Sequence, residues 1–116
     1  MADKYGAQLP TDFQSFFPYY LREHAHPLCR ALHYFGTSMV LVILAYVIYS
    51  GQLVYLLVMP FVGYFFAWVG HFFVEKNKPA TFTYPVWSLM GDFKMYFLFV
   101  SGRIGSALEA AGVARK

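Results

Sequence analysis

The 116-residue chain is 59% hydrophobic and 22% aromatic, and only 13% of its residues are charged. Soluble domains carry about twice that share of charge, and a chain this small buries only about two-thirds of its surface, so 13 Phe, 10 Tyr and 2 Trp argue against a soluble monomer and against disorder. Cys29 is alone, which rules out an internal disulfide framework and a cysteine-based zinc cluster, and a net charge of +3 is too small an excess to indicate nucleic-acid binding.

The first ten residues, MADKYGAQLP, carry charge and lack an apolar stretch, so they do not read as a signal peptide. Residues 11–32 form an amphipathic element. Thr11 or Asp12 is placed to cap a helix whose Phe13, Phe16, Phe17, Tyr20 and Leu21 recur at helical spacing. Pro18 and Pro27 are expected to bend or break it. The element is expected to lie in a membrane interface or to close over the segments that follow.

Residues 31–74, 44 in all, contain no Asp, Glu, Lys or Arg. The stretch divides at Ser50-Gly51-Gln52, a turn-like tripeptide, into 34–50 and 52–74. At about 1.5 Å per residue these pieces are about 26 and 35 Å long, enough for a hydrocarbon core of about 30 Å. Lipid offers backbone groups no partner, so the pieces are expected to be helices forming a transmembrane hairpin. Pro60 should kink the second helix without ending it.

Lys76-Asn77-Lys78-Pro79 is a polar stop, and 81–85 reads as irregular. A third hydrophobic helix is expected over 86–101, although it carries Asp92 and Lys94. Residues 102–116 read as a loop and a short polar tail. The expected fold is therefore all-α: one membrane-embedded domain over 1–116, an integral bundle of three to four helices around a central hairpin. Arg22 and Arg30 precede the hairpin and Lys76 and Lys78 follow it, while the turn has no basic residue. By the positive-inside tendency both hairpin ends face the cytoplasm, in the inner membrane of a bacterium or the endoplasmic reticulum of a eukaryote.

Four histidines carry the chemistry: His24, His26, His33 and His71. The first three lie at the entry to the first span and the last near the end of the second, so an antiparallel hairpin returns them to one membrane face. Glu75 follows His71 at i+4, about 40° round an ideal helix. A single histidine at a helix end is usually an ordinary hydrogen-bonded residue. Four that converge near membrane depth point to function, because ionisable groups there are costly. Imidazole and carboxylate suit iron or zinc. The expected metal site is His24, His33 and His71, with His26 as a fourth ligand and Glu75 or Asp92 in support. His24 and His26 are about 200° apart on an ideal helix, so both can ligate only if the chain bends near Pro27.

These residues also resemble a family. Tyr20-Leu21-Arg22-Glu23-His24, Pro27, Leu32-His33-Tyr34-Phe35-Gly36 and Gly70-His71-Phe72-Phe73-Val74-Glu75-Lys76-Asn77-Lys78-Pro79-Ala80 are similar to the motifs of the Mpo1-like family, also called DUF962. The resemblance covers roughly 13–105. It implies a small membrane protein that uses Fe(2+) and O2 to shorten a 2-hydroxy fatty acid by one carbon, with His24, His33 and His71 at the metal. The family commonly has Asn where this chain has His26 and again where it has Cys29. Imidazole-held iron(II) with open positions would take the bidentate 2-hydroxy carboxylate, while an apolar groove takes its tail. Arg22, Arg30, Lys76 or Lys78 would steer the carboxylate. The expected partners are this substrate, O2 and the lipid bilayer, with self-association left open. The competing reading is a non-enzymatic small membrane protein whose histidines bind a metal structurally or sense pH.

Overall fold

The computed structural model describes residues 6 and 8–113. It is all-α among the described residues, with five α-helices. Helix α1 spans Phe13–Arg22, α2 Pro27–Ser50, α3 Val58–Val69, α4 Pro85–Val100 and α5 Ile104–Ala110. A 3-10 turn, Leu53–Leu57, leads into α3, and a π-helical turn, Gly70–Glu75, prolongs it.

The hairpin is α2 packed against the continuous segment Leu53–Glu75. It turns at Gly51, whose φ of 73° is the left-handed conformation that commonly ends a helix. Helix α2 starts earlier than the sequence suggests. Pro27 occupies its first turn, where a missing N–H costs nothing, so the expected single element over 11–32 is in fact two helices separated by residues 23–26. Pro18 does not break α1. The carbonyl that its ring deprives of a partner belongs to Gln14, which is exposed and open to solvent. Pro60 lies in the first turn of α3, where the 3-10 geometry has just ended, and the helix runs on through it.

The main cluster of buried apolar side chains lies outside the hairpin. Phe16, Phe17, Tyr20 and Leu21 of α1 meet Met95 of α4, Leu108 of α5, and Ala111 and Val113 beyond it. Asp12 and Ser15 cap α1 reciprocally. Residues 102–113 are thus no loose polar tail: α5 packs on α1 and α4, and Arg22 Nη1 donates to the Ala111 carbonyl at 3.2 Å. This assembly closes over one end of the hairpin and brings α1 to the histidines.

The candidate metal centre

Three imidazoles converge where α1 ends, α2 begins and α3 passes into its π-helical turn. His24, His33 and His71 are all buried. Nε2 of His24 lies 3.1 Å from Nε2 of His33 and 3.0 Å from Nε2 of His71. The rings stand nearly perpendicular to one another, with interplanar angles of 79°, 80° and 85°.

The opposite ring nitrogens fix the tautomers. Nδ1 of His24 lies 2.6 Å from the Tyr20 carbonyl, and Nδ1 of His33 lies 2.8 Å from the Cys29 carbonyl. A carbonyl only accepts, so both Nδ1 atoms carry the proton. Nδ1 of His71 meets Asn77 Oδ1 at 2.7 Å, and the Asn77 amide donates through Nδ2 to the Glu23 carbonyl at 3.1 Å. That second bond sets which end of the amide faces His71, so its Nδ1 donates too. In the neutral rings all three Nε2 atoms are then bare lone pairs pointed at one another. Burial, and then the neighbouring His33 and His71, hold the His24 imidazole well below its usual pKa, which keeps it neutral. Three lone pairs at hydrogen-bond distance with no proton between them repel, unless a cation sits among them. The group is able to hold a metal ion.

Local structure explains each position. Arg30, itself buried, donates through Nη1 to the carbonyls of His24 and Ala25 at 2.8 and 2.9 Å, clamping the bend between α1 and α2. The Tyr20 ring stacks on His24 with centroids 4.0 Å apart. Its hydroxyl donates to Asp92 Oδ1. The π-helical turn widens the helix at His71, and both Lys76 and Asn77 donate their N–H to the His71 carbonyl. Lys76 is left-handed there, with φ of 59°, which swings Asn77 back under the His71 ring. Helices α2 and α3 approach so closely that a Cβ on Gly70 would lie 2.9 Å from Cys29 Sγ.

His26 stands outside the cluster. It is the N-cap of α2, where its Nδ1 accepts from the Leu28 N–H at 3.0 Å. A ring turned onto its own helix end cannot join the other three, and the bend that brings His24 in carries His26 away. Glu75 is not at the cluster either. Its Oε2 accepts from the His26 N–H at 2.8 Å and ties the end of the hairpin to its beginning. Sharing a helix side with His71 does not bring the carboxylate to the imidazoles, because the His26 N–H takes it. Asp92 does face the site: with Tyr20 and Ser88 it lines a small cavity beside the three imidazoles. Burial raises its carboxyl to about 7, against the opposing hydrogen bond from Tyr20.

A family model described as 2-hydroxy-palmitic acid dioxygenase Mpo1-like matches residues 10–104. The chain belongs to the Mpo1-like family. No curated protein and no solved structure matches it.

In this Mpo1-like chain Asn77, Tyr20 and Ser88 belong to the site although their place in the sequence does not announce it, and Arg30, expected to steer a carboxylate, instead clamps the chain at His24 and Ala25. Asn77 follows His71 by six residues and reads as part of a polar stop, because nothing in the sequence announces a π-helical turn. Arg30 and Arg22 are bound to backbone carbonyls, so of the four basic residues proposed to steer a carboxylate, Lys76 and Lys78 are the ones left exposed. Ser88 lies one turn before Asp92 on α4 and is 2% exposed, with its Oγ unpaired in the protein.

Proposed function

We propose that this Mpo1-like chain is a membrane-embedded iron(II) dioxygenase that shortens 2-hydroxy fatty acids by one carbon. The carrying observation is the set of three bare Nε2 atoms aimed at one point. Ligand nitrogens about 2.1 Å from a metal lie about 3.0 Å apart at right angles and about 3.4 Å apart at tetrahedral angles. The separations of 3.1 and 3.0 Å fit right angles. Three imidazoles would leave other positions on a bound ion open, which suits an oxygenase and not a closed structural zinc site. Bound there, iron(II) would supply the means of engaging O2 and a chelating 2-hydroxy carboxylate.

The overall change balances without a separate reductant. R–CH(OH)–COOH and O2 give R–COOH, CO2 and H2O; the bond between C1 and C2 breaks, four electrons leave the organic acid and four reduce O2. The chain's own groups orient and enclose. His24, His33 and His71 would hold the metal through Nε2, each aimed by its Nδ1–H donor bond. Ser88 Oγ, buried without a protein partner, is free to hydrogen-bond a bound ligand. Asp92, already accepting from Tyr20, has a second carboxylate oxygen with which to receive a proton from a 2-hydroxyl group.

The membrane placement is supported by the hairpin's exposure. Its two helices are 24 and 23 residues long, yet only 17% and 6% of their apolar windows are buried within the protein. A soluble core helix would be mostly buried, whereas here Ile48 and Phe61 are 76% and 77% exposed. With Arg22, Arg30, Lys76 and Lys78 at the histidine end, that end would face the cytoplasm.

The test is to purify the chain in detergent, measure its metal, and incubate it under O2 with matched 2-hydroxy and unsubstituted fatty acids. The expected product is an acid one carbon shorter, formed from the 2-hydroxy acid and dependent on iron. Shortening of neither acid, or equal shortening of both with zinc in place of iron, would sink the proposal and favour a non-catalytic metal-binding protein.

A further inference from the structure

The larger cleft at the histidine end has no part in the proposed reaction. It measures about 470 Å3 and shares a wall with the metal centre, since Pro79 and Ala80 line both the cleft and the small cavity at the imidazoles. Lys76 and Lys78 line it and are exposed, and among the described residues neither ammonium is paired with a carboxylate. Thr83 and Tyr84 add hydroxyl groups. Glu23 brings the opposing charge to the lining, but it is 2% exposed and so set back in the wall. The lysines follow directly on the π-helical turn that ends the hairpin. The N–H groups of Lys76 and Asn77 both bond the His71 carbonyl, which anchors the strap from 76 to 84 at its start. The other side of this strap is apolar. Phe82 is 55% exposed, and its ring centroid lies 5.6 Å from that of Trp68 and 6.3 Å from that of Phe72. Both hairpin rings are themselves exposed, so an aromatic stripe runs along the outer surface of the hairpin up to the strap. Ammoniums and hydroxyls just past an apolar span, with exposed rings beside them, match the layout of a phospholipid, headgroup beyond acyl chains.

We infer that the cleft takes the phosphate of an anionic phospholipid of the cytoplasmic leaflet, while that lipid's acyl chains lie against Trp68, Phe72 and Phe82. The inference rests on the membrane placement proposed above. Lysine binds phosphate as a compact point charge, and threonine and tyrosine hydroxyls donate to its remaining oxygens. One lysine close to an anionic lipid surface favours binding by about fivefold, and two by about thirtyfold. The carboxylate of a metal-bound acid is not the occupant, because Pro79 and Ala80 stand between the cleft and the imidazole cavity. Free phosphate would use the lysines and leave the rings without a partner.

The test titrates the full chain in detergent with phosphatidylglycerol or phosphatidylcholine in mixed micelles and counts bound lipid by native mass spectrometry. The unaltered protein should prefer phosphatidylglycerol by about fivefold or more. The double variant Lys76→Gln/Lys78→Gln should bind phosphatidylglycerol about thirtyfold more weakly, with phosphatidylcholine binding and metal content unchanged. Location is read separately. Trp87→Phe leaves Trp68 as the sole tryptophan, and phosphatidylglycerol brominated on its acyl chains should quench it in step with binding. Excess inorganic phosphate should not displace the lipid. Equal binding of the two lipids, a preference that survives loss of both lysines, or binding without quenching of Trp68 would overturn the lipid site and leave the membrane placement standing. Displacement by inorganic phosphate would overturn it in favour of a soluble phosphate compound. A chain that stays monodisperse in buffer without detergent would overturn the membrane placement and the lipid site together.

Discussion

The two ends of the hairpin are built on opposite principles. At the histidine end, Cys29, Arg30, His33 and Gly36 of α2 are buried, and so are Gly70 and His71 opposite them. Carbonyls of Tyr20, Glu23, His24, Ala25 and Cys29 each accept from a named side chain. At the turn end, α2 buries only Val47 beyond Gly36, and neither the 3-10 turn nor α3 buries any residue. Geometry at one end is fixed by directed hydrogen bonds, which specify ring orientation. At the other it is fixed by side-chain bulk and by whatever apolar medium surrounds it, which specifies little more than a helix.

Removing a ligand is the strongest way to break this contrast. His33→Ala or His71→Ala takes one of three nitrogens from the cluster and should weaken metal binding by at least about 1,000-fold, since even outer-shell changes cost about 10–100-fold. The hairpin should persist, because its apolar faces are untouched. Metal analysis after dialysis, with circular dichroism for helix content, checks both halves. Loss of helix along with metal would show that the ordered end is needed to form the other.

A milder change isolates orientation from ligation. Asn77→Ala leaves all three imidazoles in place but removes the acceptor of the His71 Nδ1–H and the donor to the Glu23 carbonyl. Metal affinity should fall by about 10–100-fold. Asn77→Asp should recover part of it, because a carboxylate still accepts from His71. Metal titration of the three proteins separates the cases, and equal affinity in all of them would mean that the π-helical turn alone aims the ring.

The same contrast explains how much was legible in the sequence. The hairpin was, since 44 residues without a charge and a Ser-Gly-Gln turn leave few alternatives. The meeting of His33 and His71 followed from antiparallel geometry. His26 was expected beside His24 as a fourth ligand; that it stays out depends on where the chain bends, and Pro27 reads equally as a helix break or a helix start. Glu75 was misplaced for a related reason: a shared helix face with His71 does not say which donor the carboxylate takes, and the His26 N–H reaches it only because the chain bends there. In the tail, Ile104, Leu108 and Ala111 recur at helical spacing, but seven residues is too short a helix for periodicity to outweigh composition. Directed hydrogen bonds and turn geometry were thus the illegible part, and they are concentrated at the histidine end.

The smallest predicted effect lies on the border between the two ends. Ser38 of α2 and Tyr96 of α4 share a hydrogen bond of 2.8 Å between their hydroxyls, a little more than one helical turn beyond His33. Tyr96→Phe deletes the hydroxyl and keeps the ring. Both groups are neutral, and the hydroxyl left on Ser38 has a substitute partner in the backbone carbonyl four residues earlier, so little desolvation cost is stranded. Bonds of this kind between membrane helices average about 0.6 kcal/mol, and the loss in unfolding free energy should be of that size. Metal affinity should not move, because the three imidazoles are oriented by Tyr20, Cys29 and Asn77 and not by α4 at this level. Equilibrium unfolding in detergent measures the first quantity and metal titration the second. A fall in metal affinity approaching that of Asn77→Ala would mean that ordering at the histidine end is transmitted along α2, and that the hairpin is one cooperative unit instead of two halves held by different forces.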